Sequence, residues 1–272
     1  MWELVFVAAG RGHIIASVDA VKLKGKIRNA IVLGWQGANQ LLWPAVCINC
    51  RESICETDGG LCGNCWEDLL ECTGGDYCRR CGRDASKFGL IDGACGGCQA
   101  GRFAFDRIAR AGVYAKSLKD MIVGFKRDRT ELDLVLGSLA DSALQGSGFR
   151  SEIELFVPVP LHWSRRLVRG YNQSLVLAKK LRREGAMIST DLVRVRRTKF
   201  QPTMQSAAAR ARNVKGAFAV RRGHGFAGRA VCLVDDIKTT GATLNECART
   251  LKEAGASKVF ALVLSVAGQS LG

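Results

Sequence analysis

The chain has 272 residues, of which 47% are hydrophobic, so it can bury the core of one large domain or two smaller ones. Its net charge of +15, from 40 Lys and Arg against 25 Asp and Glu, favours anionic partners. The sequence contains no apolar run near the roughly 18–20 residues that cross a bilayer, which argues against a membrane-spanning helix.

The first 43 residues carry a weak structural pattern. The start, MWELVFVAAGRGH, lacks the basic segment and the cleavage site of a signal peptide, so we expect a cytoplasmic protein. Residues 1–26 fit either a short strand with a loop or a poorly ordered extension. Residues 27–43 have apolar side chains at helical spacing and are followed by Pro44, which predicts an amphipathic helix. We therefore assign residues 1–43 to an N-terminal extension that includes this helix.

Ten of the twelve cysteines lie in the next segment, residues 44–100, and eight of them form C-x2-C pairs. In a secreted chain, such a density would indicate a disulfide scaffold. Here each pair can instead direct two thiolates at one ion, and two pairs complete a tetrahedral zinc site. The spacing predicts two structural Zn²⁺ sites in a double zinc ribbon. The predicted ligands are Cys47, Cys50, Cys62 and Cys65 for the first ion and Cys78, Cys81, Cys95 and Cys98 for the second.

The charge of this segment bears on what the ribbons do. Residues 44–100 hold 5 Lys and Arg against 9 Asp and Glu, and each four-thiolate zinc site adds a charge of about −2. A strongly negative module is a poor phosphate binder. We therefore interpret the ribbons as structural, or as a docking surface for another protein, and we expect them to need the metal to fold.

From residue 101 onward, apolar strands alternate with amphipathic helices. We predict strands at 107–115, 153–160, 230–236 and 258–267, and helices at 117–128, 131–144, 171–184 and 242–255. Ser117 is the expected N-cap of the first helix, and Gly255 is expected to end the last. This alternation predicts an α/β fold over residues 101–272, with a parallel sheet flanked by helices and the site at the carboxyl ends of the strands.

One segment at such a strand end points to chemistry. In VCLVDDIKTTGAT, residues 231–243, a buried strand leads into Asp235 and Asp236, and then into a turn that opens a helix. The backbone N–H groups of such a turn, together with the helix dipole, favour a phosphate group, and Gly241 allows close approach. The Lys of a P-loop is missing. Carboxylates beside a phosphate cradle suit a sugar phosphate, because they can accept hydrogen bonds from a vicinal diol or hold a divalent cation through water.

The segment VDDIKTTGAT, residues 234–243, resembles the phosphoribosyl-diphosphate motif of type I phosphoribosyltransferases. With the paired ribbons, VPVPLHWSRRLVRGYNQ and RTKFQPTMQ…ARARNVKGAF, the chain resembles the ComF family over roughly residues 40–267. That resemblance implies a double zinc ribbon joined to a phosphoribosyltransferase-like domain. It also implies a link to DNA uptake in bacteria, alongside a helicase-like partner.

The resemblance also implies roles for individual residues. Asp235 and Asp236 would be the catalytic pair that holds the ribose hydroxyls, with Mg²⁺ sharing the charge of the diphosphate. The residues implied to cradle the 5′-phosphate are Thr239, Thr240, Gly241, Ala242 and Thr243. Those implied to lie by the pyrophosphate are Arg165, Arg166, Arg169, Gly170, Tyr171 and Asn172. A mobile flap over the site would include Arg197, Thr198, Gln201, Arg210 and Asn213.

Two positions affect this assignment. Enzymes that salvage 6-oxopurines usually carry an acidic residue where this chain has Thr239, which argues against hypoxanthine or guanine as the acceptor. Lys238 fits either a surface position or an additional phosphate contact.

Three functions remain open from the sequence. The first is a phosphoribosyltransferase that releases pyrophosphate as an unidentified acceptor attacks C1 of the ribose. The second is a catalytically vestigial module that binds single-stranded DNA or a competence partner. It is suggested by residues 160–222, which hold 16 Lys and Arg against 2 Asp and Glu, more than a pyrophosphate site needs. The third is an adaptor whose acidic ribbons dock a competence helicase. Because both aspartates are present, we favour retained binding of phosphoribosyl diphosphate.

Overall fold

A computed structural model describes residues 45–54, 60–98, 103–162, 170–181, 186–196, 198 and 206–268. The chain divides into two compact units, Met1–Gly63 and Asn64–Gly272. The predictions for residues 1–26 and for the amphipathic helix at 27–43 lie outside the described residues, so they stay predictions.

The described part of the first unit is a metal-binding knuckle. Val46 and Ser53 form an antiparallel bridge, and the backbone N–H of Cys47 donates to the carbonyl of Glu52 at 2.8 Å. Arg51 adopts a left-handed conformation with φ of 71°, which closes the turn between the two short arms. The turn brings Cys47 and Cys50 to one side, as the C-x2-C spacing predicts.

The second unit contains a five-stranded parallel sheet with the strand order β3-β9-β8-β4-β5. Its strands are β3 (Arg107–Val113), β4 (Leu155–Pro158), β5 (Met187–Ile188), β8 (Ala230–Lys238) and β9 (Lys258–Val266). The strands β1 (Leu90–Ile91) and β2 (Ala94–Cys95) form a separate antiparallel hairpin, and so do β6 (Leu192–Arg194) and β7 (Phe218–Val220). Every residue of β9 after Lys258 is buried, as expected for a parallel strand covered on both faces.

The described helices are α1 (Gly63–Thr73), α2 (Lys116–Phe125), α3 (Asp133–Gln145), α4 (Gln173–Lys180), α5 (Ala207–Val214) and α6 (Ala242–Glu253). The predicted α/β class, a parallel sheet flanked by helices, is confirmed. The helix α6 ends at Glu253 and Gly255 follows with φ of 90°, as predicted. None of the helices in the described ranges is long and apolar enough to cross a membrane.

Two details of the sequence prediction are wrong. Ser117 is not the N-cap of α2, because the helix begins one residue earlier, with Ala115 as the cap, and the Ser117 hydroxyl donates to Asp68 on α1 at 3.2 Å. The strand β8 continues two residues beyond Asp236, because Lys238 still pairs with Val266 of β9. The strands β5, β6 and β7 and the helices α1 and α5 were not predicted.

The second ribbon covers the exposed edge of the sheet at β3. The backbone N–H of Ile108 donates to the carbonyl of Arg79 at 2.8 Å, and the Arg110 guanidinium pairs with Asp84. Further along the strand, Gly112 is required by close packing, because a Cβ there would lie 2.4 Å from the carbonyl oxygen of Cys72. The ribbon thereby pairs one backbone group of this sheet edge and packs beside it, which limits what the edge exposes.

Candidate sugar-phosphate site and metal centres

The two adjacent aspartates at the end of β8 have different neighbours, because successive residues of a strand point to opposite faces. Asp235 Oδ1 accepts hydrogen bonds from the Ser174 hydroxyl at 3.1 Å and from the Asp236 backbone N–H at 3.0 Å. Asp236 Oδ2 lies 3.0 Å from the ammonium of Lys126. The pair is therefore held by α4 on one side and by the residue that follows α2 on the other.

The electrostatics of this pair favour an incoming donor or cation. Withdrawal from water, and then repulsion by Asp236, raise the pKa of Asp235 to about 7, although Lys126 and the Ser174 hydroxyl act in the opposite direction. Near neutral pH, this carboxyl is therefore divided between its neutral and ionised forms. Hydroxyl groups of a ligand, or a divalent cation, would stabilise the ionised form on binding. The residues fit Mg²⁺ as oxygen donors, because this ion commonly binds one or two carboxylates and retains several waters.

The turn after β8 has the backbone geometry of an anion cradle. Gly241 adopts φ of 81° and ψ of 4° and is the N-cap of α6, and its carbonyl accepts the backbone N–H of Asn245 at 2.8 Å. Gly241 offers no side chain to cap the first turn, and the Thr240 hydroxyl accepts the backbone N–H of Ala242 at 3.4 Å. Thr239 is exposed, while Thr240, Ala242 and Thr243 are partly buried, so the cradle is open to solvent on one side. An anion placed here would meet the N-terminal end of the α6 dipole.

Two side chains, the buried Lys238 and the ring of Phe103, lie beneath this turn and form what we call its floor. Lys238 is 4% exposed, and its ammonium lies over the Phe103 ring, 5.2 Å from the centroid. A surface position for Lys238 is therefore wrong, because the extension of β8 carries its side chain inward. A Cβ at Gly241 would come within 3.0 Å of Lys238 Cε and Phe103 Cε1. The buried positive charge directly below the turn adds to its preference for an anion.

The second ribbon is connected to this floor. Arg80, in the middle of the CRRC knuckle, donates from Nη2 to the carbonyl of Phe103 at 2.8 Å, and its Nη1 donates to the carbonyls of Phe105 and Asp106. The next residue, Ala104, donates its N–H to Asn245 Oδ1 in the first turn of α6 at 2.6 Å. The segment 103–106 therefore joins the ribbon to the turn at residues 239–243 that opens α6, here called the phosphate turn after its proposed ligand.

Gly241→Ala is expected to lower the affinity for ribose 5-phosphate by about tenfold or more and to reduce the free energy of unfolding by about 1–3 kcal/mol. The side chain would be strained at φ of 81° and would crowd Phe103. Titration calorimetry and thermal melting measure the two effects. Gly223→Ala is the matched control, because Gly223 has φ of 75° but no atom lies within 4 Å of the position that a Cβ would take. Equal loss of binding in both variants would contradict the role of the turn.

The structure describes three residues of the predicted pyrophosphate loop. Gly170 adopts φ of 72°, and Tyr171 donates its hydroxyl to the carbonyl of Phe125 at the end of α2. Asn172 caps α4 by accepting the N–H of Ser174 at 3.1 Å and donates to the carbonyl of Val159 at 3.2 Å. These contacts fix the point at which the loop rejoins the fold. Arg165, Arg166 and Arg169 lie outside the described residues.

The predicted flap is described in part. Thr198 is buried and accepts a hydrogen bond from the Arg194 guanidinium, whose carbon lies 5.2 Å from the centroid of the Phe218 ring. Arg210 and Asn213 lie on α5, a helix that was not predicted and that packs beside α6. Ser206 caps this helix by accepting the N–H of Ala209 at 3.1 Å. Arg197 and Gln201 lie outside the described residues.

Sequence reasoning missed Lys126, Ser174 and Tyr114 at this site. Lys126 lies near the end of the helix predicted at 117–128 and reads there as an ordinary surface lysine, whereas the observed helix ends at Phe125. Ser174 lies in the first turn of α4, where a hydroxyl is common. Tyr114 directly follows β3, and burial, followed by the charges of Asp236 and Asp120, raises its pKa. Only the carboxyl-edge position of Tyr114 gave a signal, because strand ends surround the site in a parallel sheet.

The eight predicted zinc ligands form two clusters, one with Cys47, Cys50, Cys62 and Cys65 and the other with Cys78, Cys81, Cys95 and Cys98. Within each cluster, the Sγ atoms all lie within 4.8 Å of one another. The Cys50–Cys62 and Cys81–Cys95 sulfur distances are 3.6 and 3.8 Å, close to the roughly 3.8 Å edge of a tetrahedron with Zn–S bonds of about 2.3 Å. The four-thiolate zinc prediction therefore fits both clusters.

The backbone also directs a hydrogen-bond donor at one sulfur of each cluster. The backbone N–H groups of Cys62 and Cys95 point at the sulfurs of Cys47 and Cys78, at 3.3 and 3.2 Å. Although desolvation raises it, hydrogen bonds led by the Cys62 N–H lower the pKa of Cys47 to about 6. None of the eleven cysteines in the described ranges takes part in a disulfide. Cys72, Cys232 and Cys247 lie outside the two clusters and are buried.

Comparison with known proteins supports the ribbon half of this description. The double zinc ribbon domain family matches residues 38–99. A purine phosphoribosyltransferase from Pyrococcus horikoshii aligns with 48% of this chain and 73% of its own, at 15% identity and a TM-score of 0.30, a similarity too low to carry an argument.

Sequence relatives cover most of the chain. Competence protein F of Haemophilus influenzae is 31% identical over 221 residues, which are 78% of this chain and 93% of the relative. The DNA utilization protein YhgH of Escherichia coli K12 is 31% identical over 79% of this chain and 94% of its own length. Competence protein ComFC of Bacillus subtilis is 26% identical over 74% and 82%. With identity above 30% along nearly the whole relative and a double zinc ribbon at the expected place, the chain belongs to the ComF family.

Proposed function

We propose that this chain binds 5-phosphoribosyl diphosphate at the carboxyl end of β8. The observation that carries the proposal is the succession on one strand of two carboxylates, a buried lysine and a left-handed glycine that opens α6. The carboxylates suit the ribose hydroxyls and the turn suits the 5′-phosphate, since the two groups lie at opposite ends of the same sugar.

The reaction that such a site supports is transfer of the ribosyl group. The bond between C1 of the ribose and the diphosphate oxygen breaks, diphosphate leaves with the electron pair, and an acceptor bonds to C1 and loses a proton. Bound Mg²⁺ would supply positive charge to the leaving diphosphate. The residues of this chain orient the sugar through Asp235 and Asp236, and Arg165, Arg166 and Arg169 are the expected ligands of the diphosphate because the guanidinium fork matches two oxygens.

The biological setting that we propose is the uptake or use of DNA, because one relative is named a competence protein and another a DNA utilization protein. A second candidate function is binding of single-stranded DNA by a site that no longer turns over. The observation that favours it is the charge of residues 160–222, with 16 Lys and Arg against 2 Asp and Glu. In that case a competence helicase would be the neighbouring partner.

The test is calorimetric titration of the full chain with 5-phosphoribosyl diphosphate and Mg²⁺ at fixed moderate salt. We expect saturable binding with one site per chain, and an acceptor screen for diphosphate release would follow. Absence of binding at millimolar ligand would overturn the proposal. The same protein titrated with a single-stranded oligonucleotide would then test the second candidate, with a steep salt dependence as its expected signature.

A further inference from the structure

Lys126 forms an ion pair with Asp236, one of the two carboxylates that a bound ribose would contact. It follows the last residue of α2, and its ammonium lies 3.0 Å from Asp236 Oδ2, with 23% of the lysine side chain and 13% of the aspartate side chain exposed. A pair this far withdrawn from water is screened less than a surface pair. A ligand that uses Asp236 must therefore compete with, or rearrange, this contact.

The position of Lys126 links the carboxylates to the predicted diphosphate loop. Phe125, directly before it, accepts the hydroxyl hydrogen bond of Tyr171, and the two rings meet edge to face with centroids 5.7 Å apart. Tyr171 is where the loop rejoins the fold, next to the Asn172 cap of α4. The backbone that carries Lys126 is thus fixed against the end of the loop, while the lysine side chain itself has a flexible four-carbon stem.

The charges explain why a lysine is useful at this point. A diphosphate placed beside Asp235 and Asp236 would be repelled by the carboxylates unless a cation lies between them. An ammonium is a compact charge that can move between a carboxylate and a phosphate oxygen with small rotations of its stem. The same movement would release Asp236 to accept hydrogen bonds from the sugar.

Resting on the proposed function, we propose that Lys126 selects ligands that carry a diphosphate. With no ligand it pairs with Asp236, and when a diphosphate arrives it moves to that group, so the ribose hydroxyls gain Asp236. Ribose 5-phosphate, which lacks the diphosphate, leaves the ion pair in place and gains less from Asp236. Lys126 then contacts the diphosphate and also determines the preference for 5-phosphoribosyl diphosphate over ribose 5-phosphate.

The first test compares two ligands on two variants. For Lys126→Met, which keeps much of the stem, we expect affinity for 5-phosphoribosyl diphosphate with Mg²⁺ to fall by about tenfold to a hundredfold, the range of a hydrogen bond to a charged group. Affinity for ribose 5-phosphate should stay equal or rise, because Asp236 is released. Lys126→Arg should retain most of the preference for the diphosphate. Lys119→Met is the matched control, since Lys119 is exposed on the same helix and carries the same charge.

The second test measures how the binding of one ligand changes the affinity for another, so its result does not depend on the stability of a variant. In the wild-type protein, inorganic diphosphate with Mg²⁺ should raise the affinity for ribose 5-phosphate several-fold, because it draws Lys126 from Asp236, and the effect must be reciprocal. In Lys126→Met, this coupling should disappear. A lysine that only stabilised the fold would leave the coupling intact.

The outcomes separate this inference from the function on which it rests. A wild-type protein that binds neither sugar phosphate would overturn both. Wild-type binding of 5-phosphoribosyl diphosphate with unchanged affinity in Lys126→Met, or an equal loss for both ligands, would overturn the inference and leave the proposed function standing. Coupling that persists in Lys126→Met would also overturn it.

Discussion

Replacement of both Asp235 and Asp236 by Asn is expected to weaken the binding of 5-phosphoribosyl diphosphate by about a hundredfold or more. In the wild-type protein, each carboxylate would accept charge-assisted hydrogen bonds from the ribose, worth about 1.5–3 kcal/mol each. The substitution removes the negative charge from both side chains. The Asn side chains keep the shape of the site, so the loss would reflect charge and not a cavity. Calorimetric titration of the wild-type and variant proteins, with Mg²⁺ at one salt concentration, measures the difference.

The control for this variant separates binding from folding. Burial raises the pKa of Asp235 to about 7, so above pH 7 its ionised form opposes folding, and the variant should melt at or above the wild-type temperature at pH 8. Asp76→Asn with Asp92→Asn makes the same change of charge at exposed positions. Unchanged affinity in the Asp235 and Asp236 variant would show that these carboxylates do not hold the sugar.

Removal of zinc is expected to unfold the ribbons, and loss of the second ion is expected to reach the phosphate turn. Structural zinc contributes about 10–16 kcal/mol of apparent binding free energy to small metal-dependent folds, which a segment with little apolar sequence cannot replace. Arg80 lies between Cys78 and Cys81 and holds the carbonyl of Phe103, whose ring supports Gly241 and Lys238. Disorder of the knuckle would therefore loosen the floor of the turn.

The measurement is elemental analysis combined with hydrogen exchange. We expect about two zinc ions per chain, and about one after Cys78→Ser with Cys81→Ser. That variant should also exchange faster at residues 239–245 and bind ribose 5-phosphate more weakly. The matched control is Cys47→Ser with Cys50→Ser, which removes the first ion and leaves the Arg80 contacts in place. A protein that stays fully folded without metal would contradict the structural role of zinc.

The elements that were predicted correctly depend on interactions between residues close in the chain. A C-x2-C pair brings two thiolates together within one turn, so the two zinc clusters follow from spacing. Strands such as β9 are buried on both faces and read as continuous apolar runs, whereas α2 and α6 show helical periodicity. The turn at Gly241 was recognisable for the same reason, because a left-handed cap demands glycine locally.

The short elements were missed because two or three residues cannot display a period. The strands β5, β6 and β7 and the eight-residue helix α5 are stabilised by the elements that they pack against, as α5 is by α6. Ser117 illustrates the same limit, since it looks like a cap in the sequence but is drawn to Asp68 on another helix. The secondary-structure preference of a residue is overridden where a tertiary contact stabilises another arrangement more strongly.

The sequence by itself indicates the two cysteine clusters, the alternation of strands and helices, and a strand that carries two carboxylates before a glycine turn, because each rests on spacing or periodicity that is visible along the chain. The assembled fold alone shows that Lys126 pairs with Asp236, that Lys238 lies buried over Phe103 and that Arg80 links the second ribbon to that floor. These contacts join residues far apart in the chain. They arise because packing of the sheet and its helices brings strand ends together, and no local pattern encodes that arrangement.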